Sequence, residues 1–111
     1  MISNINIDQL IEIGRTGYQI IFDNLPDSFA LAKSARGDTL LHVASSRGFI
    51  SEVNYLLQNG AQINAHGEFL FTPLHCAAIG NHEEIYQFLL LNGADESLVD
   101  CYGLTADTYF D

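Results

Sequence analysis

The chain is poor in basic residues: only four of its 111 residues are Lys or Arg, against 14 Asp and Glu. The formal net charge of −10 disfavours binding to nucleic acid or to an anionic membrane surface, because both require cationic side chains that neutralise phosphate. Such a charge is compatible with a basic partner. No hydrophobic run approaches the roughly 20 residues of a membrane-spanning helix, and residues 1–5 lack the basic start of a signal peptide. We therefore expect neither nucleic-acid binding nor membrane insertion.

Cysteine is also scarce, and the two present, Cys76 and Cys101, lie 25 positions apart. Two cysteines do not make the disulfide framework of a small secreted domain, so we expect a reducing compartment such as the cytoplasm. The H-x3–5-H and C-x2-C spacings of zinc sites do not occur. Gly-rich phosphate loops and the G-x-S-x-G motif are missing as well. We therefore predict a protein that is not an enzyme and needs no cofactor.

What the chain does contain is a repeat with a period of 33 residues. The stretch 72–78 reads Thr-Pro-Leu-His-Cys-Ala-Ala, and 33 positions earlier the stretch 39–45 reads Thr-Leu-Leu-His-Val-Ala-Ser. A Leu pair at 56–57 returns at 89–90, and an Asn-Gly-Ala triplet at 59–61 returns at 92–94. A fixed period of this length indicates stacked structural units, and stacked units usually bind other proteins.

Each unit is predicted to contain two helices followed by a long connector. In the unit around 72–92, Thr72 is the expected N-cap and Pro73 the first helical residue. Asn81 is placed where the chain must reverse, because Asn tolerates the left-handed conformation. A second helix is predicted from His82 to about Asn92. The preceding unit repeats this plan with helices at about 39–47 and 50–59, and the connectors 61–71 and 94–104 are long enough for projecting fingers.

The two ends of the array are less regular. Residues 6–9, Asn-Ile-Asp-Gln, form a candidate capping box for a first helix. A reversal at Gly17 and a second helix at 20–25 would complete a degenerate first unit. Near the C-terminus a further unit begins at Gly103, and only one short helix fits before Asp111. Tyr109 and Phe110 are candidates to cover the end of the stack. Terminal units of repeat arrays are expected to be atypical.

These residues resemble the ankyrin repeat, whose signature is T-P-L-H-x-A. Residues 72–77 match that signature in full, whereas the preceding unit departs from it at Leu40. The resemblance implies an all-α fold, an ankyrin-repeat solenoid of stacked helix-turn-helix units with hairpin-like finger loops. It implies one domain, 1–111, made of a degenerate unit 1–36, repeats 37–69 and 70–102, and a partial unit 103–111. It also implies a non-catalytic module that binds a protein partner through its concave face and fingers.

The resemblance further implies which positions would contact a partner. Carried onto this chain they are Arg15, Arg36, Asp38, Arg47, Glu68, Phe69, Phe71, Ile79, Tyr102 and Leu104. The finger residues 69–71 are unusual, because the family expects Gly at Leu70 and polar neighbours. They either contact a partner or fold back onto the neighbouring unit, and the arginines either contact a partner or pair locally with Asp38 and Glu68. His42 and His75 fall at the family's structural histidine, which implies a bracing role.

Two other functions remain open at this point. The charge of −10 on so short a chain fits a small acidic inhibitor or immunity-type protein that blocks a basic enzyme. The incomplete last unit fits the ankyrin scaffold portion of a longer secreted effector, which would be delivered into a host cytosol. The chain on its own is expected to be a monomer.

Overall fold

The computed structural model describes residues 6–15 and 27–110. Within these ranges there are five α-helices and three short 3-10 segments, and no β-strand. The helices are α1 (Ile7–Arg15), α2 (Leu40–Arg47), α3 (Ile50–Gln58), α4 (Pro73–Ile79) and α5 (Glu83–Leu91). The 3-10 segments are Asp27–Ala30, Glu68–Leu70 and Ala106–Tyr109. This is the mainly helical architecture that the repeat predicted.

The helices α2 and α4 begin in the same way. Thr39 Oγ1 accepts from the backbone N–H of His42 at 3.4 Å, and the N–H of Thr39 donates to His42 Nδ1 at 3.0 Å. Thr72 and His75 repeat both contacts at 3.3 Å. These reciprocal bonds satisfy backbone N–H groups that the first helical turn leaves without a partner. The predicted N-cap role of Thr72 is therefore confirmed.

The helix reversals also follow the prediction. Gly48 ends α2 with φ of 85°, and Asn81 has φ of 58° between α4 and α5. Both angles lie in the left-handed region, which Gly and Asn adopt at the lowest cost. Each pair of helices therefore turns back on itself and places α2 and α4 on one side, with α3 and α5 behind them.

At the start of the chain, α1 opens with the predicted capping box. The Asn6 N–H donates to Gln9 Oε1 at 2.9 Å, and the Gln9 N–H donates to Asn6 Oδ1 at 2.9 Å. Leu10 and Ile11 are buried and form the inward face of this helix. The predicted reversal at Gly17 and the helix at 20–25 lie outside the described residues.

The core runs through the stack as one continuous cluster. The helix α2 packs on α4, α1 packs on α2, and the Ala106–Tyr109 segment packs on the far side of α4. Small residues at Ala44, Ala77 and Ala78 are buried and let the inner helices approach closely. Around them the largest fully buried apolar side chains are those of Leu40, Leu41, Val53, Leu56, Leu74, Ile85 and Leu89. Each contributes about 1.5–3 kcal/mol through the burial of its side chain.

Aromatic side chains cover the end of the stack beyond α4. Tyr109 meets Phe71 edge to face, with ring centroids 5.9 Å apart and planes at 84°. The ring of Phe110 also meets that of Tyr86 edge to face, with ring centroids 4.7 Å apart and planes at 77°. Both residues pack against the core cluster, so their predicted covering role is confirmed.

Candidate partner-binding surface

Three fingers project from the stack, and in each a backbone hydrogen bond joins the first residue to the last. The bonds run from Ser34 N to Asp38 O at 2.8 Å, from Gly67 N to Phe71 O at 2.7 Å, and from Asp100 N to Leu104 O at 3.0 Å. We call residues 34–38, 67–71 and 100–104 the first, second and third finger. Because they recur every 33 residues, side chains at equivalent positions of neighbouring fingers come side by side.

The third finger is held internally by Asp100. Its Oδ1 accepts from the N–H of Tyr102 at 2.8 Å and of Leu104 at 3.1 Å, and its Oδ2 accepts from the Tyr109 hydroxyl. Burial alone would raise the pKa of Asp100, but these donors and the nearby His75 outweigh it, so the pKa is lowered. The hydrogen bond to Asp100, with burial, raises the pKa of Tyr109 to about 12. The third finger is thereby tied to the segment that covers the stack.

The second finger has Gly67 at the position that Asp100 occupies in the third. It therefore has no side chain there that could accept hydrogen bonds from the backbone of its own finger. The acceptor comes instead from Asp38 in the first finger, whose Oδ1 accepts a hydrogen bond from the Glu68 N–H at 2.9 Å. A Cβ added at Gly67 would collide with this oxygen and lie 2.9 Å from His42 Nε2. Asp38, predicted as a contact residue, is buried and braces the second finger from the first.

The two repeated histidines connect each inner helix to the finger that follows. The Thr39 N–H donates to His42 Nδ1, so Nε2 carries the proton and donates to the carbonyls of Phe71 at 2.9 Å and Ala65 at 3.0 Å. His75 Nε2 likewise donates to the Leu104 carbonyl at 2.9 Å. Burial lowers the pKa of His42, although the Asp38 carboxylate opposes this effect. The bracing role implied for both histidines is confirmed.

The tip of the second finger is held in an unusual conformation. Phe69 and Leu70 have φ of 58° and 61°. The equivalents of Leu70 in the neighbouring fingers are Gly37 and Gly103, with φ of 92° and 78°. The left-handed conformation costs a residue with a Cβ roughly 1–2 kcal/mol. Backbone strain of this kind persists only where the surrounding structure holds the residue in place, and it is often found at functional sites.

This conformation sets Phe69 against the next finger. Its ring stacks on that of Tyr102 with centroids 6.3 Å apart and planes at 25°, and lies 5.8 Å from the ring of Phe71. Phe69 nevertheless remains half exposed. Phe71 is half-buried and lies against His75 and Tyr109. The finger therefore does both things expected as alternatives: it folds onto the neighbouring unit and keeps an apolar face open.

A groove of about 340 Å³ lies between this finger and the inner helices α2 and α4. Five of the predicted contact residues line it, together with residues from both helices. The lining residues are Asp38, His42, Val43, Ser46, Glu68, Phe69, Phe71, Cys76 and Ile79. Tyr102 extends the same surface through its stacking on Phe69, and Leu104 follows in the third finger. We call the groove with Tyr102 and Leu104 the concave surface.

The predicted arginines are placed differently from one another. Arg36 Nη1 lies 3.8 Å from Glu68 Oε2, which is the local pairing expected as the alternative to partner contact. An exposed pair of this kind contributes only about 0–1 kcal/mol. Arg47 is exposed at the last position of α2. Arg15 ends α1, and its side chain is outside the described residues.

Sequence reasoning missed the role of His82. Its Nε2 lies 3.1 Å from the Ser46 carbonyl, and its ring fills the space beside two glycines. A Cβ at Gly48 would lie 2.7 Å from the ring, and one at Gly80 would lie 2.6 Å from it. The paired glycines at the two helix reversals were the available signal. His82 thus ties neighbouring units together on the side away from the fingers.

The described part of the chain carries neither a metal-binding cluster nor a membrane-spanning helix. No group of three or more His, Cys, Asp or Glu side chains there could hold a metal ion. None of the helices within residues 6–15 and 27–110 is long and apolar enough to cross a membrane. Neither Cys76, which is half-buried, nor Cys101, which is exposed, forms a disulfide bond.

Stacked helix pairs with a groove beneath projecting fingers define a helical-repeat scaffold of the protein-interaction type. Residues 9–100 match the family model described as ankyrin repeats (3 copies), and the chain belongs to the ankyrin repeat family. Members of this family are generally protein–protein interaction modules and generally non-catalytic.

Several curated proteins share this similarity. Over 46 residues, 41% of this chain, it is 50% identical to an ankyrin repeat protein of Rickettsia bellii (strain RML369-C). Over 70 residues, 63% of this chain, it is 39% identical to BCL-6 corepressor-like protein 1 of Homo sapiens and 37% identical to protein phosphatase 1 regulatory subunit 12A of Mus musculus. The chain spans only 19%, 4% and 7% of the lengths of these three relatives.

Proposed function

We propose that this chain is a non-catalytic module that binds one protein partner through its concave surface. The observation that carries the proposal is a set of large apolar side chains left open on that surface. The exposed fractions are 50% for Phe69, 47% for Ile79, 64% for Tyr102 and 38% for Leu104. Aromatic side chains of this kind are common energetic anchors in protein interfaces.

The contiguity of these side chains separates them from ordinary surface residues. Single exposed apolar residues are normal in proteins, and Leu91 on α5 is one, with 86% of its surface exposed. Phe69 and Tyr102, by contrast, are in ring contact, and Phe69 and Ile79 line one groove. A contiguous apolar surface beside a groove is typical of a docking site.

The surface is also held in shape before any partner arrives. Each finger is closed by its own backbone bond, and the second is tied to the first by Asp38 and to α2 by His42. A preordered surface loses less conformational entropy on binding. The proposal places the module in a reducing compartment, which accords with Cys76 and Cys101 not being joined in a disulfide.

Affinity capture from the source cells, quantified by mass spectrometry, tests this function. The test variant is Phe69→Ala with Tyr102→Ala, which removes the exposed rings. Phe71 is left in place because it packs against His75 and Tyr109, so its loss would confuse binding with folding. We expect the partner recovered by the wild type to fall at least about tenfold, as for hot-spot residues worth more than 1.4 kcal/mol.

The matched control is Leu91→Ala, which removes an even more exposed apolar side chain from the outer helix. It should capture the partner as the wild type does, and all three proteins should have similar melting curves. Equal recovery by the wild type and the double variant, with both folded, would overturn the assignment of the concave surface.

A further inference from the structure

We infer that the partner segment bound at the concave surface carries a bulky apolar side chain within about three residues of an Arg or Lys. The apolar side chain occupies the groove, and the cation lies over the exposed rings of Tyr102 and Phe69. This inference rests on the proposed function and specifies the chemistry and the orientation of the occupant.

The groove suits one apolar side chain. Its walls include Val43, Phe71 and Ile79, with Phe69 overhanging one side. The volume of about 340 Å³ is at the lower end of the roughly 300–1,000 Å³ of small-molecule sites. A single large side chain of an extended segment fits these dimensions, and burial of a Leu, Met or Phe side chain supplies affinity in proportion to its apolar area.

The cation is expected beyond the groove, at the third finger. Phe69 and Tyr102 are stacked on each other, and both remain at least half exposed. An Arg or Lys within about 6 Å of such a ring is attracted to its face. Residues 48–111 contain nine Asp and Glu and no Lys or Arg. No cation from that part of the chain therefore competes for the rings, and the surrounding charge is negative.

The charges around the groove also orient the segment. Lys33 and Arg36 lie at the first finger, near His42 and Glu68 of the groove lining respectively, and repel a partner cation there. Glu68 lies in the second finger, and its exposed pair with Arg36 at 3.8 Å is a weak one. The apolar side chain therefore points toward α2 and α4, and the cation toward Tyr102.

Selection from a random 12-residue phage-displayed peptide library on the immobilised full chain tests this inference without knowledge of the natural partner. We expect enriched peptides to combine Leu, Met, Phe or a similar residue with an Arg or Lys no more than about three positions away. Fluorescence anisotropy with labelled copies of these peptides should show that Tyr102→Ala weakens binding about 3- to 10-fold, which corresponds to a cation–π contact of roughly 0.7–1.4 kcal/mol. Leu91→Ala should have no effect.

Replacement of the basic residue in the peptide by Ala should weaken binding by a similar factor. The two losses should not multiply, because they remove the same contact. Affinity should also fall between 50 and 300 mM NaCl, as expected for a partly electrostatic complex.

Two adverse results can be told apart. Peptides that depend on Phe69 and Ile79 but contain no Arg or Lys, or that bind equally at both salt concentrations, overturn this inference and leave the proposed function standing. Peptides that bind equally well to a Phe69→Ala, Ile79→Ala variant count against both. Absence of any enrichment overturns the inference that a linear segment is recognised, and the capture experiment then decides the proposed function.

Discussion

Replacement of Gly67 by Ala tests how the second finger is anchored. The residue has φ of −103°, a value open to any amino acid, so backbone strain is not the issue. The added Cβ would collide with Asp38 Oδ1 and lie 2.9 Å from His42 Nε2. Either the carboxylate or the finger must move, and the bond from the Glu68 N–H to Asp38 is lost or lengthened.

The expected cost follows from the contacts at risk. A hydrogen bond to a charged group contributes about 1.5–3 kcal/mol, and a neutral one such as that from His42 Nε2 about 1 kcal/mol. The change from Gly to Ala also reduces the conformational freedom of the unfolded chain, which offsets about 0.4–1 kcal/mol of this loss of stability. The net loss in the free energy of unfolding is therefore about 2–3 kcal/mol, which for a chain of this size corresponds to a decrease in Tm on the order of 10 °C.

Chemical denaturation of a double-mutant cycle with Asp38→Ala measures this cost. In the Asp38→Ala background the main collision is gone, so Gly67→Ala should cost less than about 1 kcal/mol and the two changes should be coupled by at least about 1 kcal/mol. Gly93→Ala is the control, because its Cβ would meet nothing within 4 Å and its φ of 97° adds only backbone strain. Additive costs for Gly67→Ala and Asp38→Ala would refute the bracing of the second finger by the first.

Three further changes probe the same scaffold. The pKa of His42 is lowered from 6.5 because burial outweighs the attraction of Asp38. As the pH falls, this histidine is therefore protonated at a higher pH in the unfolded chain than in the folded protein. The free energy of unfolding should therefore decrease below about pH 6.5, by at most about 1.4 kcal/mol per pH unit. In urea titrations His42→Gln should be less stable at pH 7 and should lose this part of the pH dependence; an unchanged pH dependence would contradict the reasoning. The pKa of Tyr109 is raised to about 12 in the folded protein, so its contribution to stability should persist to about pH 10, near the unfolded value, and disappear as the pH rises to 12. A tyrosinate absorbance titration should lose its component near pH 12 in Tyr109→Phe, and retention of that component would show that another tyrosine accounts for it. Thr72→Val removes the N-cap oxygen of α4 at nearly constant volume and should lower the free energy of unfolding by about 1 kcal/mol. Thr108→Val, at an exposed position, is its control, and equal effects of the two changes in thermal melts would argue against the cap.

The helices of the stack could be predicted from the sequence because their signals are local. Thr72 precedes Pro73, and the cap forms within four residues of chain. The reversal at Asn81 likewise depends on one residue that tolerates positive φ. Tyr109 and Phe110 could be predicted to cover the end of the stack because they come after the last helical pattern in the sequence. Periodicity then placed equivalent elements side by side, since a repeat stacks on its neighbour.

The braces between units could not be predicted in the same way. The contact from Glu68 to Asp38 spans 30 positions, and that from His82 to Ser46 spans 36. Each of these contacts requires the space that a glycine leaves by having no side chain, and that space is known only once the units are packed. Burial of Tyr86 depends likewise on a residue distant in sequence, because Phe110 covers its ring.

The candidate surface was predicted only in part, because residue type does not show which face a side chain takes. Of residues 69–71, which were expected either to contact a partner or to fold back, Phe69 keeps half its surface open. Phe71 instead faces inward against Tyr109. Asp38, chosen as a contact residue, has its carboxylate turned to the Glu68 backbone. The role of all ten predicted positions in partner binding stays a prediction that the capture experiment tests.

The histidine bonds give the stack a direction. His42 donates forward to the carbonyl of Phe71, and His75 donates forward to the carbonyl of Leu104, so each unit supplies the donor and the following unit supplies the acceptor. Melting of residues 103–111 would take the Leu104 carbonyl away from the His75 Nε2–H, at a cost of about 1–3 kcal/mol, whereas His42 would keep the Ala65 carbonyl of its own unit. Melting of the preceding unit would leave only a carbonyl oxygen, which water reaches more easily at a finger. Opening from the two ends is therefore energetically unequal, and cooperativity along the array is asymmetric even though its repeats are alike.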